Sequence, residues 1–134
     1  MTRPTFLYDG DCAFCTACAR FVERRVPTPA RVVPWQFADL DALGLTAAEC
    51  EAAVQWVDPD RPGAAAGPDA IAALLLSSGM LWRLAGRVLR LAPVRAVAWP
   101  AYRWVARNRH RMPGGTAACA LPQAARDERY GPLG

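Results

Sequence analysis

A chain of 134 residues suits one domain of ordinary size, and 53% hydrophobic residues are enough to bury a core without disulfide staples. Its formal charge is +4, and all 16 basic residues are arginines, a bias that together with abundant alanine points to a GC-rich coding sequence rather than to a partner. The longest apolar run, residues 70–76, falls far short of the roughly 18 to 20 residues that cross a bilayer, which excludes a membrane-spanning helix.

Five cysteines then need a reason. An odd number, with three crowded at Cys12, Cys15 and Cys18, is unlike the even framework of a small secreted domain. Met1-Thr2-Arg3-Pro4 does not lead into a long apolar core, so no signal peptide is expected and a reducing, cytoplasmic setting is the default.

In chain order, residues 5–8 read as a short buried strand, Asp9-Gly10-Asp11 as a tight turn, and residues 13–25 as an amphipathic helix. On that helix Phe14, Cys18, Phe21 and Val22 are expected to face the core, with Arg20, Glu23 and Arg24 opposite. Pro27 and Pro29 end it. Residues 31–37 have the β-branched and aromatic content of a second strand, with Pro34 pushing it towards an edge or an end. Residues 39–43 suit a turn of helix, and Thr46-Ala47-Ala48-Glu49 is a capping box opening another.

Residues 54–57 alternate as a third strand, and Asp58 to Gly63 is dense turn chemistry before a short return strand at residues 64–66. Gly67-Pro68-Asp69 starts a helix running to about residue 78. Two more helical segments follow. The first carries an apolar stripe at Leu81, Leu84, Ala85, Val88 and Leu91 beside a row at Arg83, Arg87 and Arg90. The second covers residues 94–108, and Pro100 inside it should kink it or mark a new start. Residues 1–112 are therefore expected to form the domain, with a loosely ordered tail at 113–134 rich in Gly, Pro and Ala.

The order strand, turn, C-x-x-C, helix at Cys12-Ala13-Phe14-Cys15 is the arrangement of a thioredoxin-like redox site. The whole pattern implies an α/β fold, a thioredoxin-like mixed sheet flanked by helices, with an added helical C-terminal segment. The sequence also resembles a particular family. Tyr8-Asp9-Gly10-x-Cys12-x-x-Cys15, then Gly67-x-Asp69-Ala70, then Tyr102-Arg103-Trp104-Val105-Ala106-Arg107-Asn108-Arg109 followed by Cys119 are similar to the DCC family of predicted thiol-disulfide oxidoreductases, named for an aspartate and two cysteines. Those residues are here Asp9, Cys12 and Cys15. The resemblance implies a thioredoxin-like fold and a disulfide reductase or oxidase activity. A looser similarity is to glutaredoxins, which often have an aromatic third residue in the C-x-x-C, as Phe14 is. Residues 51–54 lack the cis-proline with which thioredoxins and glutaredoxins present backbone groups to a thiol substrate.

A thiol attacks as its thiolate, and a free cysteine is mostly protonated at neutral pH. Unpaired N–H groups and the dipole at a helix N-terminus favour the anion, which makes Cys12 the expected nucleophile. Cys15, one turn on and expected to lie deeper, is the expected resolving thiol. Asp11 is placed to cap the helix, and Asp9 to accept a proton from Cys15 during resolution. Cys18 and Cys50 read as inert buried thiols, and Cys119 as either a packing or a second redox residue.

No cofactor is required beyond an external thiol reductant, and the substrate would be a protein or small-molecule disulfide. Two other readings compete. Cys12, Cys15 and Cys18 have the spacing that begins a ferredoxin ligand run, yet Val22 and Glu23 stand where the fourth cysteine and its proline belong, and no second C-x-x-C completes a zinc site. No metal is expected. Residues 70–112 hold eight arginines and no acid, so the C-terminal helices could contact an anionic membrane or an acidic protein as a basic surface-binding module. No nucleic-acid motif accompanies them. The aromatics Trp82, Trp99, Tyr102 and Trp104 are expected to cover the core instead, leaving the arginines solvated.

Overall fold

The first strand, β1 (Thr5–Tyr8), organises the fold because its successive side chains point to opposite sides of a sheet. In the computed structural model, which describes residues 3–61, 63–112, 115, 125 and 128, Phe6 and Leu7 are both buried, one in each of two separate clusters. Phe6 joins Trp56, Ala30, Ala70, Ala73 and Leu74. Leu7 joins Trp35, Leu45 and Cys50. Burying a side chain of this size stabilises the fold by about 1.5–3 kcal/mol, so this strand holds two cores at once.

Four strands form one mixed sheet in the order β2-β1-β3-β4, with β2 (Arg31–Pro34), β3 (Gln55–Val57) and β4 (Ala64–Ala66). β1 and β2 run parallel, with Phe6 opposite Val32. β3 is antiparallel to both of its neighbours, with Trp56 opposite Phe6 and Ala65. A parallel pair needs a crossover, and α1 (Ala13–Arg25) supplies it. α1 and α4 (Pro68–Leu76) bring Val22, Ala70, Ala73 and Leu74 to the Phe6 side. The short helices α2 (Leu40–Leu43) and α3 (Ala47–Ala52) bring Leu40, Leu43 and Cys50 to the Leu7 side. The Thr46–Glu49 capping box forms as expected. This is an α/β arrangement consistent with a thioredoxin-like fold.

Several local expectations need correction. β2 stops at Pro34, and Trp35–Phe37 turns as a short 3-10 helix instead of extending the strand. That turn buries Trp35 in the Leu7 cluster, which favours it over continuing along the edge. α1 is rotated from the expected face. Its inward row is Cys12, Cys15, Ala19, Val22 and Val26, whereas Cys18 is exposed and Phe21 is 49% exposed. The row at spacings of three and four that includes the two thiols, not the one that includes Phe21, meets the sheet.

The C-terminal helices are α5 (Met80–Arg90) and α6 (Ala92–Asn108). α6 is one helix with Pro100 inside it, not a new start there; a proline removes a single intrahelical bond, and the flanking turns keep theirs. α5 approaches α4 closely at Gly86, where an added Cβ would lie 3.0 Å from the Ala72 carbonyl oxygen. The tail expected at 113–134 lies outside the described residues apart from residues 115, 125 and 128.

Candidate redox site at the start of the first helix

The chain leaves β1 through Asp9-Gly10-Asp11 and enters α1 at Cys12, which is itself the residue capping the helix. Asp11 does not cap. Its backbone N–H instead donates to Asp9 Oδ1 at 3.1 Å, a side-chain-closed turn that uses the short aspartate to hold the loop. The Cys12 N–H donates to the Asp9 carbonyl at 3.3 Å, which tightens the same turn. Gly10 is required by space: a Cβ there would come within 2.5 Å of the Pro34 side chain.

Gln36, carried by the 3-10 turn after β2, is fitted to this loop. Its amide accepts from Gly10 N–H through Oε1 at 2.9 Å and donates from Nε2 to Asp9 Oδ1 at 2.8 Å. Asp9 is 4% exposed, so its carboxylate needs such donors to remain charged inside the protein. Its other oxygen, Oδ2, pairs with Arg109 Nη2 at 3.2 Å. The same guanidinium places Nη1 at 3.6 Å from Cys15 Sγ. Arg109 begins the short 3-10 helix that follows α6, so the end of the C-terminal segment folds back over the start of α1.

The two thiols differ from expectation in depth. Cys12 is fully buried and Cys15 only partly so, the reverse of the order expected from the helix alone. Cys12 is in a disulfide, and its partner is none of Cys15, Cys18 and Cys50, which are free thiols. Cys119 lies outside the described residues. Burial pushes the Cys15 thiol above its ordinary pKa; the Arg109 guanidinium pulls it down and the Asp9 carboxylate pushes it up again. Burial also raises Cys18, and it raises Cys50, beside Glu49, to about 11.

α6 contributes a second contact. The Tyr102 hydroxyl accepts from the Val54 N–H at 2.9 Å, just before β3, and the Val54 carbonyl accepts from the Gly67 N–H at 2.9 Å. Tyr102 is close enough to Cys15 for a thiolate there to raise its own pKa, on top of the larger effect of burial. Both backbone groups of Val54 are thus used inside this protein, and no cis peptide occurs among the described residues. Gly67 adopts φ +57°, and a Cβ on it would meet the Trp99 ring at 3.0 Å, so α6 lies directly on this turn.

Asp9, Cys12 and Cys15 lie at one corner of the fold, where β1 meets α1. Arg109, Gln36 and Tyr102 complete that corner and were not singled out. Arg109 and Tyr102 sit in the closing motif shared with the family, which was a signal for them; Gln36, read as part of a strand, had none. Among the described residues no group of three or more His, Cys, Asp or Glu side chains is placed to hold a metal ion.

A four-stranded β2-β1-β3-β4 sheet flanked by helices, with Cys12 and Cys15 where β1 meets α1, is consistent with a thioredoxin-like α/β protein. The sequence matches the DCC1-like thiol-disulfide oxidoreductase family over residues 6–115, and the chain belongs to that family. Comparison with curated proteins and with solved structures returns no match.

Proposed function

We propose that this chain is an enzyme that exchanges disulfides through Cys12 and Cys15, acting on a protein or small-molecule disulfide and recharged by an external thiol. The family membership supports a redox role. The observation that carries the assignment is the Arg109 guanidinium shared between Cys15 Sγ and the buried Asp9 carboxylate, one helical turn from Cys12.

In the reductive direction an external thiol first reduces the Cys12 disulfide, and the Cys12 thiolate so released attacks one sulfur of the substrate disulfide. A Cys12–substrate bond forms, the substrate bond breaks, and the other sulfur leaves as a thiolate that takes a proton from solvent. Cys15 then attacks Cys12 Sγ, forming the Cys12–Cys15 disulfide and expelling the second substrate sulfur. Two electrons have passed from the dithiol to the substrate. Cys15 attacks only once deprotonated, and its raised pKa makes that the demanding step. Arg109 holds the developing negative charge, and Asp9 receives the proton.

Insulin reduction driven by dithiothreitol tests the assignment. Cys12→Ser should lower the catalysed rate by at least about a hundredfold, as loss of a nucleophile does. Cys15→Ser should accumulate a mixed disulfide on Cys12, visible by mass spectrometry. A Cys12→Ser variant that reduces insulin at the wild-type rate would remove Cys12 from the mechanism.

A further inference from the structure

The apolar stripe of α5 does not cover the core. Its inward face is narrow: Gly86 is buried against α4, with Trp82 and Leu89 partly buried beside it. The opposite face carries Met80, Leu81, Leu84, Val88 and Leu91, with exposures of 87%, 75%, 61%, 45% and 54%. Single exposed leucines are ordinary on a protein surface, but four large apolar side chains on one face of one short helix, with Leu91 just past its end, are a contiguous patch. An open groove of about 500 Å3 continues this face towards Val94 at the start of α6, lined by side chains such as Leu81, Leu84, Ala85 and Val88.

Arginine edges the patch. At 3.6 residues per turn, Arg83, Arg87 and Arg90 fall between the buried Gly86 and the aliphatic row, along one flank of it. Arg83 Nε donates to the Ser78 carbonyl at 2.9 Å, which anchors that flank to the end of α4. From residue 70 to residue 112 there are eight arginines and no aspartate or glutamate. No helix among the described residues is long and apolar enough to cross a membrane.

We propose that the outer face of α5 docks on an anionic lipid surface, with α5 lying flat in the interface, its aliphatic row among the acyl chains and its arginines at the headgroups. Charge selects this occupant. A helix with aliphatic side chains outward and arginines along its border matches the two layers of an anionic leaflet, apolar below and negative above. A second copy of the chain matches poorly, because a two-fold contact through this face would bring arginine flanks together with no acid in residues 70–112 to neutralise them. The face is formed by residues outside the Asp9–Cys15–Arg109 corner, so this docking and the redox reading stand or fall separately.

Flotation of the full chain with phosphatidylcholine vesicles, with and without phosphatidylglycerol, tests the proposal. At low salt the wild type should float with anionic vesicles and bind them at least about tenfold more tightly than neutral ones, since several arginines near such a surface are each attracted to it. High salt should reduce that preference. Leu84→Glu with Val88→Glu should abolish flotation while insulin reduction continues at the wild-type rate. Arg83→Gln, Arg87→Gln and Arg90→Gln together should remove the preference for anionic vesicles, and this variant keeps the test decisive should the glutamates unfold the helix. Failure of the wild type to float at low salt overturns the proposal. So does unchanged flotation of the arginine variant, or a wild-type dimer in sedimentation that the Leu84→Glu and Val88→Glu pair dissolves, which would assign the face to a second copy. Retention on an acidic protein without flotation would overturn it in favour of that partner.

Discussion

The C-terminal helices present arginine in two contrasting ways. At the far end Arg109 turns inward, its side chain 16% exposed, and meets a carboxylate that is 4% exposed. Along α5, Arg83, Arg87 and Arg90 are exposed beside aliphatic side chains that are exposed as well. The same residue type, drawn from the same acid-free stretch of residues 70–112, therefore serves one buried polar network and one open amphipathic face. What separates them is where the counter-charge lies. Arg109 finds Asp9, 100 positions earlier in the chain; the α5 arginines have no acid on their own element. Basic composition alone distinguishes neither case.

Removing the inward arginine is the strongest way to break this contrast. Arg109→Gln leaves Asp9 buried with its amide donors but without its cation, and losing one member of a buried pair costs about 3 kcal/mol. It also removes the main influence that lowers the Cys15 pKa, already raised by burial, so the thiolate form retreats further upward. The rate of resolving a Cys12 mixed disulfide should then rise at higher pH than in the wild type. Arg109→Lys should restore part of both effects, keeping the charge but losing the fork that spans two groups. Stopped-flow release of a thiol from a preformed mixed disulfide, measured across pH, reads this directly; superimposed wild-type and Arg109→Gln profiles would show that the guanidinium has no part in resolution.

Tyr102 tests how firmly α6 is held down at the same corner. Tyr102→Phe deletes the oxygen that accepts from the Val54 N–H and leaves that donor in a half-buried place, at a cost of about 1–2 kcal/mol. Urea unfolding should show that loss, and the Val54 amide should exchange with solvent faster while the Phe6 amide in β1 does not. An unchanged unfolding midpoint would mean that water replaces the hydroxyl and that α6 is held elsewhere.

Much of the fold was legible because the local signals agreed with the final packing. β1, α1, the capping box at Thr46 and the return strand at Ala64–Ala66 appear where turn residues and hydrophobic periodicity put them. The exceptions share one cause. Gln36 left the strand because burying Trp35 turned the chain, and Phe21 and Cys18 face outward because the thiol row of α1 took the core instead. The exposed row of α5 was visible as an amphipathic pattern, but periodicity says that a face exists and not which way it points. Asp9, Cys12 and Cys15 could be read from spacing. Their depth could not, since it depends on the Arg109 segment folding over them from the other end of the chain. Tertiary contacts across many residues decided each of these points.

Between the two extremes lies Arg95, exposed yet paired. Its Nε and Nη2 donate to the two carboxylate oxygens of Asp69 at 2.8 and 2.7 Å, tying α6 to the first turn of α4. The side chains are 52% and 31% exposed, so water screens the pair and its contribution should be small despite the bidentate geometry. The arginine hydrogen bonds hold Asp69 below the usual carboxylate pKa. A depressed folded-state value adds stability that is fully present above the unfolded pKa of about 3.9 and is lost as pH falls through the folded value. Asp69→Asn should therefore lower the unfolding free energy slightly at neutral pH, and the wild-type advantage should shrink as pH drops below about 4. Added salt should shrink it at neutral pH as well. If the small deficit instead persists unchanged in acid and in high salt, charge is not its source, and the asparagine acts by altering the start of α4. That outcome would leave Arg95 as a neutral packing contact, and it would make the buried Arg109 the one arginine among these whose ion pair measurably stabilises the C-terminal segment.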